Sequence, residues 1–322
     1  MRCGIALPTG ALLVACLALS ASAQTMRSYD NDLASPPVLE DIDLSTGEGS
    51  LPPDYALCSP KDSEPLNALF GTGFVSGLAY RGTRLYGLAW SADAVSVAGR
   101  LVHPIELVEI RQKPLCAGSV SVGPIVDRDG HPLENLEGLA YSPRDDLFYS
   151  VDYDVAARRG QLVRIDPGRA VATPVDASHH LASELKVQGL TCCDSTGDFY
   201  ALSSGFAGVS SPQLLKLGRT HGRATVIGPT MTGPSTPLQP MLESLELDRS
   251  ASVPRLFAAG AGLYELDPTT GAATRVQGSE SDAVWGIAMA VPEPVRLWQQ
   301  LAALTALACC ARAAGRPGAR AS

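Results

Sequence analysis

An all-β fold is the fold class that this sequence predicts, and three observations lead to it. The chain contains 31 glycines and 24 prolines among 322 residues, so many turns and few long helices are expected. A short phrase of the type Gly-Leu-Ala-Tyr returns along the chain at intervals of about 40–60 residues. Each return is followed by short segments in which apolar and polar residues alternate, as they do in half-buried strands.

The repeated unit consists of four strand-like segments. The first appears as "SGLAY", "EGLAY", "QGLT", "ESLEL" and "WGIAM", and the second as "RLYGLAW", "LFYSVD", "DFYALSS" and "RLFAAG". The third appears as "IELVEI", "QLVRID", "QLLKLG" and "GLYELD", and the fourth as "SVSVGP", "AVATPV", "ATVIGP" and "AATRV". Four strands in a unit of this length are typical of a β-propeller blade. The sequence therefore predicts an all-β propeller of about five four-stranded blades, with six also possible and a β-sandwich as the alternative fold.

The two ends of the predicted propeller, residues 38–291, each hold part of a unit. The N-terminal "LEDIDLSTGEG" is similar to "LYELDPTTGAA" in the last complete unit, and the C-terminal "WGIAMAV" is similar to a first strand. We expect the two ends to share one closing blade, which would leave the propeller without an open edge. Residues 24–37 are predicted to be a flexible arm ahead of the domain.

Residues 1–23 have the pattern of a secretory signal peptide. A positive charge at Arg2 precedes the apolar run "ALLVACLALSA", and Ala21 and Ala23 form a small-x-small cleavage site before Gln24. An alternative is a lipoprotein signal, because "LVAC" ending at Cys16 is similar to a lipobox. In that case Cys16 would be lipidated.

The C-terminal segment, residues 292–322, begins with "VPEP" at Val291, Pro292, Glu293 and Pro294. An apolar run over residues 297–311 follows, and arginines are scattered through the rest. This combination resembles the PEP-CTERM sorting signal. The resemblance implies export through the Sec machinery of a Gram-negative bacterium that makes exopolysaccharide. It also implies a transient inner-membrane contact through a transmembrane helix, handling by an exosortase, and a final place at the cell surface or in the extracellular matrix.

Export permits disulfides, and the segments between the two terminal signals hold four cysteines. They are Cys58, Cys116, Cys192 and Cys193. A bridge between Cys58 and Cys116 would tie the N-terminal segment to the first repeat. Cys192 and Cys193 could form a vicinal disulfide, remain two thiols, or bind a metal together with His179 and His180.

The formal net charge of −8 argues against nucleic acid as a partner. Acidic residues are concentrated in "VDRDGHPLENLEGLAYSPRDDLFYSVDYD". Oxygen-rich clusters of this kind suit Ca²⁺, which takes six to eight oxygen ligands. The candidate ligands are Asp127, Asp129, Glu134 and Glu137. The alternative for this stretch is a solvated loop.

The phrase "EGLAY" resembles the corresponding segment of esterase-like phytase propellers, in which an acidic residue precedes the glycine. Glu137 and Glu243 match this pattern, whereas Ser76 and Gln188 depart from it. No stretch of the sequence is dense enough in Arg, Lys and His to suggest a site for several phosphates. No serine lies in a Gly-x-Ser-x-Gly frame.

These observations favour a binding module over an enzyme. The expected function is that of an exported, exosortase-sorted surface or matrix protein whose propeller binds glycan, metal or protein, with exopolysaccharide as a candidate partner. The alternative is a Ca²⁺-dependent phosphoesterase or esterase-like hydrolase on the same scaffold, for which no catalytic residue can be assigned from the sequence.

Overall fold

The computed structural model describes most of the repeated region and parts of its flanks. The described residues are 25–30, 38–44, 49–50, 75–91, 94–97, 99–113, 116–182, 185–193, 195–203, 212–232, 236–237, 244–249, 253–260, 262–276 and 284–289. The predicted signal peptide with Ala21, Ala23 and Gln24, the alternative lipidation site Cys16, the cysteine Cys58, and the sorting motif with its tail lie outside them.

Twenty-four strands are present in the described residues. In chain order they are β1 (Thr25–Asp30), β2 (Val38–Asp43), β3 (Gly49–Ser50), β4 (Val75–Arg81), β5 (Arg84–Trp90), β6 (Val95–Val97), β7 (Arg100–Val102), β8 (Ile105–Lys113), β9 (Cys116–Pro124), β10 (Leu136–Ser142), β11 (Leu147–Asp154) and β12 (Arg159–Ile165). They continue as β13 (Ala172–Pro174), β14 (Val187–Thr191), β15 (Phe199–Ser203), β16 (Gln213–Leu217), β17 (Ala224–Pro229), β18 (Met231–Thr232), β19 (Thr236–Pro237), β20 (Ser244–Asp248), β21 (Arg255–Gly260), β22 (Gly262–Leu266), β23 (Ala273–Arg275) and β24 (Val284–Met289).

These strands form five antiparallel sheets of four strands each, together with the two-stranded pairs β6–β7 and β18–β19. Sheet 1 has the order β24-β1-β2-β3, sheet 2 the order β4-β5-β8-β9, sheet 3 the order β10 to β13, sheet 4 the order β14 to β17, and sheet 5 the order β20 to β23. We call β4, β10, β14, β20 and β24 the inner strands. Neighbouring inner strands contact one another in the order β24, β4, β10, β14, β20 and back to β24, which closes a ring. The predicted all-β propeller is confirmed, and the described residues contain no helix.

Sheet 1 joins the two ends of the repeated region, as the split repeat predicted. The inner strand β24 pairs with β1, for example at Met289 and Met26, and β1 pairs in turn with β2. The predicted flexible arm at residues 24–37 needs a correction, because β1 lies within it. The reason is apolar burial: the side chain of Met26 is fully buried, and it holds this six-residue segment inside the sheet.

The hydrophobic core lies between neighbouring sheets. Separate apolar clusters fill the spaces between sheets 2 and 3, 3 and 4, 4 and 5, and 5 and 1. The second strands supply the largest members, and Phe148, Phe199 and Phe257 are completely buried. Aromatic pairs link adjacent sheets, with ring centroids 4.9 Å apart for Tyr86 and Phe148 and 4.6 Å apart for Tyr149 and Phe199. The alternating pattern of each strand therefore serves packing between sheets.

The glycine of the repeated phrase marks the closest approach of the inner strands. A Cβ on Gly77 would lie 2.6 Å from the backbone nitrogen of Leu139, and one on Gly138 would lie 2.9 Å from that of Leu190. At the fourth position Ser244 replaces glycine, and its hydroxyl accepts a hydrogen bond of 2.8 Å from the backbone N–H of Ile287. The backbones of neighbouring inner strands are therefore in close contact at the position of this repeated residue.

Candidate functional site

The acidic stretch contains one compact group of possible metal ligands. Ligand atoms of Asp127, Asp129 and His131 lie within 4.8 Å of one another. One oxygen of Asp127 accepts hydrogen bonds of 2.8 Å from the backbone N–H groups of Asp129 and His131. Desolvation raises the pKa of Asp127, but these hydrogen bonds and the His131 ring outweigh it and lower the pKa. The carboxylate already has protein donors, as in a local Asx turn.

The other two predicted calcium ligands are engaged elsewhere. Glu134 forms an ion pair of 3.2 Å with Arg100, and Glu137 forms one of 2.7 Å with Lys186. Burial raises the pKa of Glu137, against the opposing effect of Lys186. The structure brings Asp127 and Asp129 together with His131, which the sequence reasoning did not include.

Two further carboxylates of the acidic stretch join neighbouring sheets. Asp146 receives two hydrogen bonds, of 2.8 and 2.7 Å, from the guanidinium of Arg81 in sheet 2. Asp145 receives one of 3.0 Å from Arg219, which follows the third strand of sheet 4. Desolvation raises the pKa of Asp145, but hydrogen bonds from Ser142 and Tyr149 and the charge of Arg219 lower it overall. These acids therefore stabilise contacts between sheets.

The predicted metal site of two cysteines and two histidines is not formed as a single group. The sulfur atoms of Cys192 and Cys193 are in direct contact, and Cys192 is buried in the cluster between sheets 3 and 4. His179 bonds instead to Asp176, with 2.8 Å between its Nδ1 and a carboxylate oxygen. Cys116 opens β9 opposite Lys113, while Cys58 and the phytase-like Glu243 lie outside the described residues.

A cavity of about 690 Å³ lies at one end of sheets 3, 4 and 5. At this end, turns connect the first strand of a sheet to the second and the third strand to the fourth. Sheets 3, 4 and 5 supply its walls. The polar lining residues are Ser142, Arg144, Ser195, Arg219 and Arg249, and the apolar ones include Pro143, Tyr200, Leu247, Val253, Pro254 and Pro268. The loop with Asp127 lies at the other end of the strands, because it leads into the start of β10. We call this cavity the arginine pocket.

Two of the pocket arginines converge on Gly197. Nη1 of Arg144 and Nε of Arg219 each lie 3.6 Å from the position that a Cβ on Gly197 would occupy. Arg219 is partly neutralised by Asp145, whereas Arg144 is exposed and has no carboxylate partner within the described part of the chain. Gly197 has φ +89°, so the turn that leaves room for both guanidinium groups is one that glycine adopts readily.

The third arginine, Arg249, is half-buried, and its Nε has no hydrogen-bond partner among the described residues. Desolvation lowers its pKa, and the nearby Glu246 opposes this effect. Burial raises the pKa of Glu246 to about 8, although Arg249, the Met289 backbone and the Thr191 hydroxyl act in the other direction. Near neutral pH, Glu246 is therefore largely uncharged, so it does not neutralise the positive charge of Arg249.

Sequence reasoning missed this pocket because its arginines are far apart in the chain. A signal does exist: "YSPRD", "LGRT" and "LDRS" each place an arginine one or two residues beyond a strand. Arg144 and Arg249 both follow first strands, and Arg219 follows a third strand. Since these turns meet at one end of the sheets, the shared position indicates that the three arginines line one cavity.

No protein-family model and no curated protein matches the chain. Among solved structures, a chain in a nidogen/laminin complex is similar at 8% identity and a TM-score of 0.45, with 84% of this chain and 99% of that chain covered. TolB from Acinetobacter baumannii is similar at 10% identity and a TM-score of 0.41, covering 83% and 66%. A gluconolactonase from Xanthomonas campestris is similar at 14% identity and a TM-score of 0.36, covering 66% and 83%. At these identities and TM-scores, the similarity does not indicate an activity for this chain. None of the described residues forms a helix long and apolar enough to cross a membrane.

Proposed function

We propose that the chain is an exported surface or extracellular-matrix protein whose propeller is a binding module. The arginine pocket is the observation that carries this proposal. Its volume of about 690 Å³ falls in the range of small-molecule sites, roughly 300–1,000 Å³. Turns from three sheets surround it, and a few polar groups stand among apolar walls, which is the usual composition of a ligand site.

The chemistry of the lining residues favours binding over catalysis. The described lining residues include two serines and three arginines, and none of them is a histidine or a carboxylic acid. The Ser142 hydroxyl donates to Asp145, whose pKa is lowered overall although burial raises it, so this carboxylate is a weak general base. Guanidinium groups bind and orient anions, and they do not deprotonate a nucleophile at neutral pH.

The proposed route to the surface rests on the two terminal segments. "VPEP" at residues 291–294, the apolar run and the terminal arginines support exosortase sorting after export through the Sec machinery. Mass spectrometry of the protein secreted by a host with an exosortase tests this route. We expect a C-terminus near Pro292–Pro294, and secreted protein that keeps an intact tail contradicts the proposal.

Binding is tested on the same secreted protein. We expect it to be retained by acidic matrix polysaccharide and to show no turnover in a screen of phosphate esters, carboxylic esters and lactones. Reproducible turnover that is lost with Ser142→Ala, and kept in a Ser96→Ala control on the exposed β6–β7 hairpin, would replace the binding module by an enzyme.

A Ca²⁺-dependent hydrolase remains a second candidate because Asp127, Asp129 and His131 form a compact ligand group. Metal analysis of the purified protein, paired with the same turnover screen, tests this function. The hydrolase requires bound calcium together with activity that Asp127→Asn abolishes and Asp154→Asn leaves unchanged. Purified protein without metal or activity removes this candidate.

A further inference from the structure

We infer that the arginine pocket binds a carboxylate carried on a ring of small-molecule size. This inference rests on the proposed function and names the ligand chemistry of the same site. Three features of the pocket lead to it: converging positive charge, a buried donor without an acceptor, and apolar walls around both.

Among the described residues that line the pocket, three are arginines and none is a carboxylate. Arg144, Arg219 and Arg249 line the cavity. Asp145 compensates part of the Arg219 charge at 3.0 Å, and Glu246 is largely protonated near neutral pH because burial raises its pKa. In a chain with a net charge of −8, this local excess of positive charge is suited to an anionic ligand.

The buried Nε of Arg249 gives a second, independent indication. Buried donors in folded proteins almost always have a hydrogen-bond partner, and this one has none among the described residues. The Nε atom is closed to solvent, so a bound anion accepts this hydrogen bond only after the Arg249 side chain reorients. A guanidinium group suits a carboxylate in particular, because its parallel N–H groups match the two oxygens.

The apolar walls of the pocket favour a ligand that has an apolar part, which an inorganic ion lacks. Tyr200, Leu247, Val253 and the prolines Pro254 and Pro268 present apolar surface to the cavity. A ring attached to the carboxylate would cover this surface and displace water from it, and Tyr200 offers it an aromatic contact. The same chemistry has two sources: a free cyclic acid, and the uronic-acid unit of a polysaccharide.

Titration calorimetry on the full chain tests the inference with two pairs of probes. One pair is cyclohexanecarboxylate and the uncharged cyclohexanecarboxamide, and the other is glucuronate and glucose. We expect the carboxylate of at least one pair to bind, with the uncharged member at least about tenfold weaker, the loss typical of one charge-assisted contact. Stronger binding of cyclohexanecarboxylate identifies a free acid as the source, and stronger binding of glucuronate identifies a polysaccharide unit.

Variants assign the binding to the pocket. Arg144→Gln removes an exposed side chain that has no carboxylate partner in the described part of the chain, so it leaves the fold intact. We expect it and Arg249→Gln each to weaken the carboxylate by about tenfold. Arg159→Gln is the matched control, because this exposed arginine lies at the opposite end of β11 from the pocket, and it should bind as the parent does.

The inference is overturned if neither carboxylate binds, if the uncharged members bind equally well, or if both pocket variants bind like the parent. Retention on matrix polysaccharide that is unaffected by the arginine variants would refute the inference and leave the proposed binding module standing. Turnover of a bound carboxylic ester would leave the anion site standing and refute the non-enzymatic function.

Discussion

Gly77, Gly138 and Gly189 stand where the backbone of one inner strand meets the next. The repeated glycine in the sequence suggested only a motif that marks each unit, and the structure gives it a steric cause. Any Cβ at these positions would lie within about 3.0 Å of the neighbouring strand. Where Ser244 takes this place, its hydroxyl bonds to the facing backbone. The departure from glycine could be read from the sequence, but the hydrogen bond that accommodates it could not.

Gly138→Ala tests this steric role. Its φ of +66° and the approach to Leu190 add backbone strain of about 1–2 kcal/mol to overpacking of about 1–3 kcal/mol. Gly99→Ala is the control, since Gly99 has φ +81° with nothing within 4 Å. We expect urea unfolding to show a larger loss of stability for Gly138→Ala, and equal losses would contradict the steric explanation.

Glu246 predicts a pH-dependent stability. Burial raises its pKa from the ordinary 4.5 to about 8 in the folded state, so between these values the unfolded chain releases a proton that the folded chain keeps. The contribution of Glu246 to stability therefore falls as pH rises through this window, by up to about 1.4 kcal/mol per pH unit. Unfolding of Glu246→Gln at pH 5, 6.5 and 8 should lack this slope, and parallel profiles for variant and parent would refute the assignment.

At the scale of elements, the period-two pattern predicted the strands of sheets 2 to 5 well, because each unit repeats the same four segments. The strand β1 could not be predicted in this way, since "TMRSYD" has no counterpart in the repeat. Its place depends on a long-range pairing with β24 at the other end of the chain. The hairpin β6–β7 was also missed, because it is inserted between the second and third strands of sheet 2 and the repeat gives no signal for it.

Met26→Ala tests the closing role of β1. The Met26 side chain is fully buried in a cluster with Phe257, Ile287 and Met289, and its loss leaves a cavity that costs about 2–5 kcal/mol. Hydrogen exchange of β24 should accelerate with the fall in stability. Val120→Ala on the outer strand β9 is the control, because Val120 is 40% exposed and its truncation should change stability by about 0.5 kcal/mol or less. Equal effects of the two variants would argue that β1 does not hold the ring closed.

At the scale of the whole molecule, the sequence could predict a propeller and the end of the strands at which a turn lies. It could not predict which turns meet in space. The acidic stretch looked like a site because its carboxylates are close in sequence, yet Asp145 and Asp146 join sheets through Arg219 and Arg81. The arginines looked scattered, yet three of them meet in one pocket. Charged residues that are close in sequence therefore need not be close in space, because the fold is assembled from five separate sheets.

The pocket and the ring of inner strands are connected through Arg249, and this connection predicts a pH-dependent affinity. Asp248 and Arg249 are the charged groups that act on Glu246, and Thr191 and the Met289 backbone donate to it. Below about pH 8, Glu246 is protonated and Arg249 attracts a bound carboxylate fully. Above this pH, the ionised Glu246 competes for Arg249 and repels the ligand, so the Kd for the better carboxylate probe should rise by about fivefold between pH 6.5 and 9, within the usual range of coupling between sites. Glu246→Gln should bind with nearly the same Kd at both values, and a rise as large as that of the parent would show that another group controls the pocket.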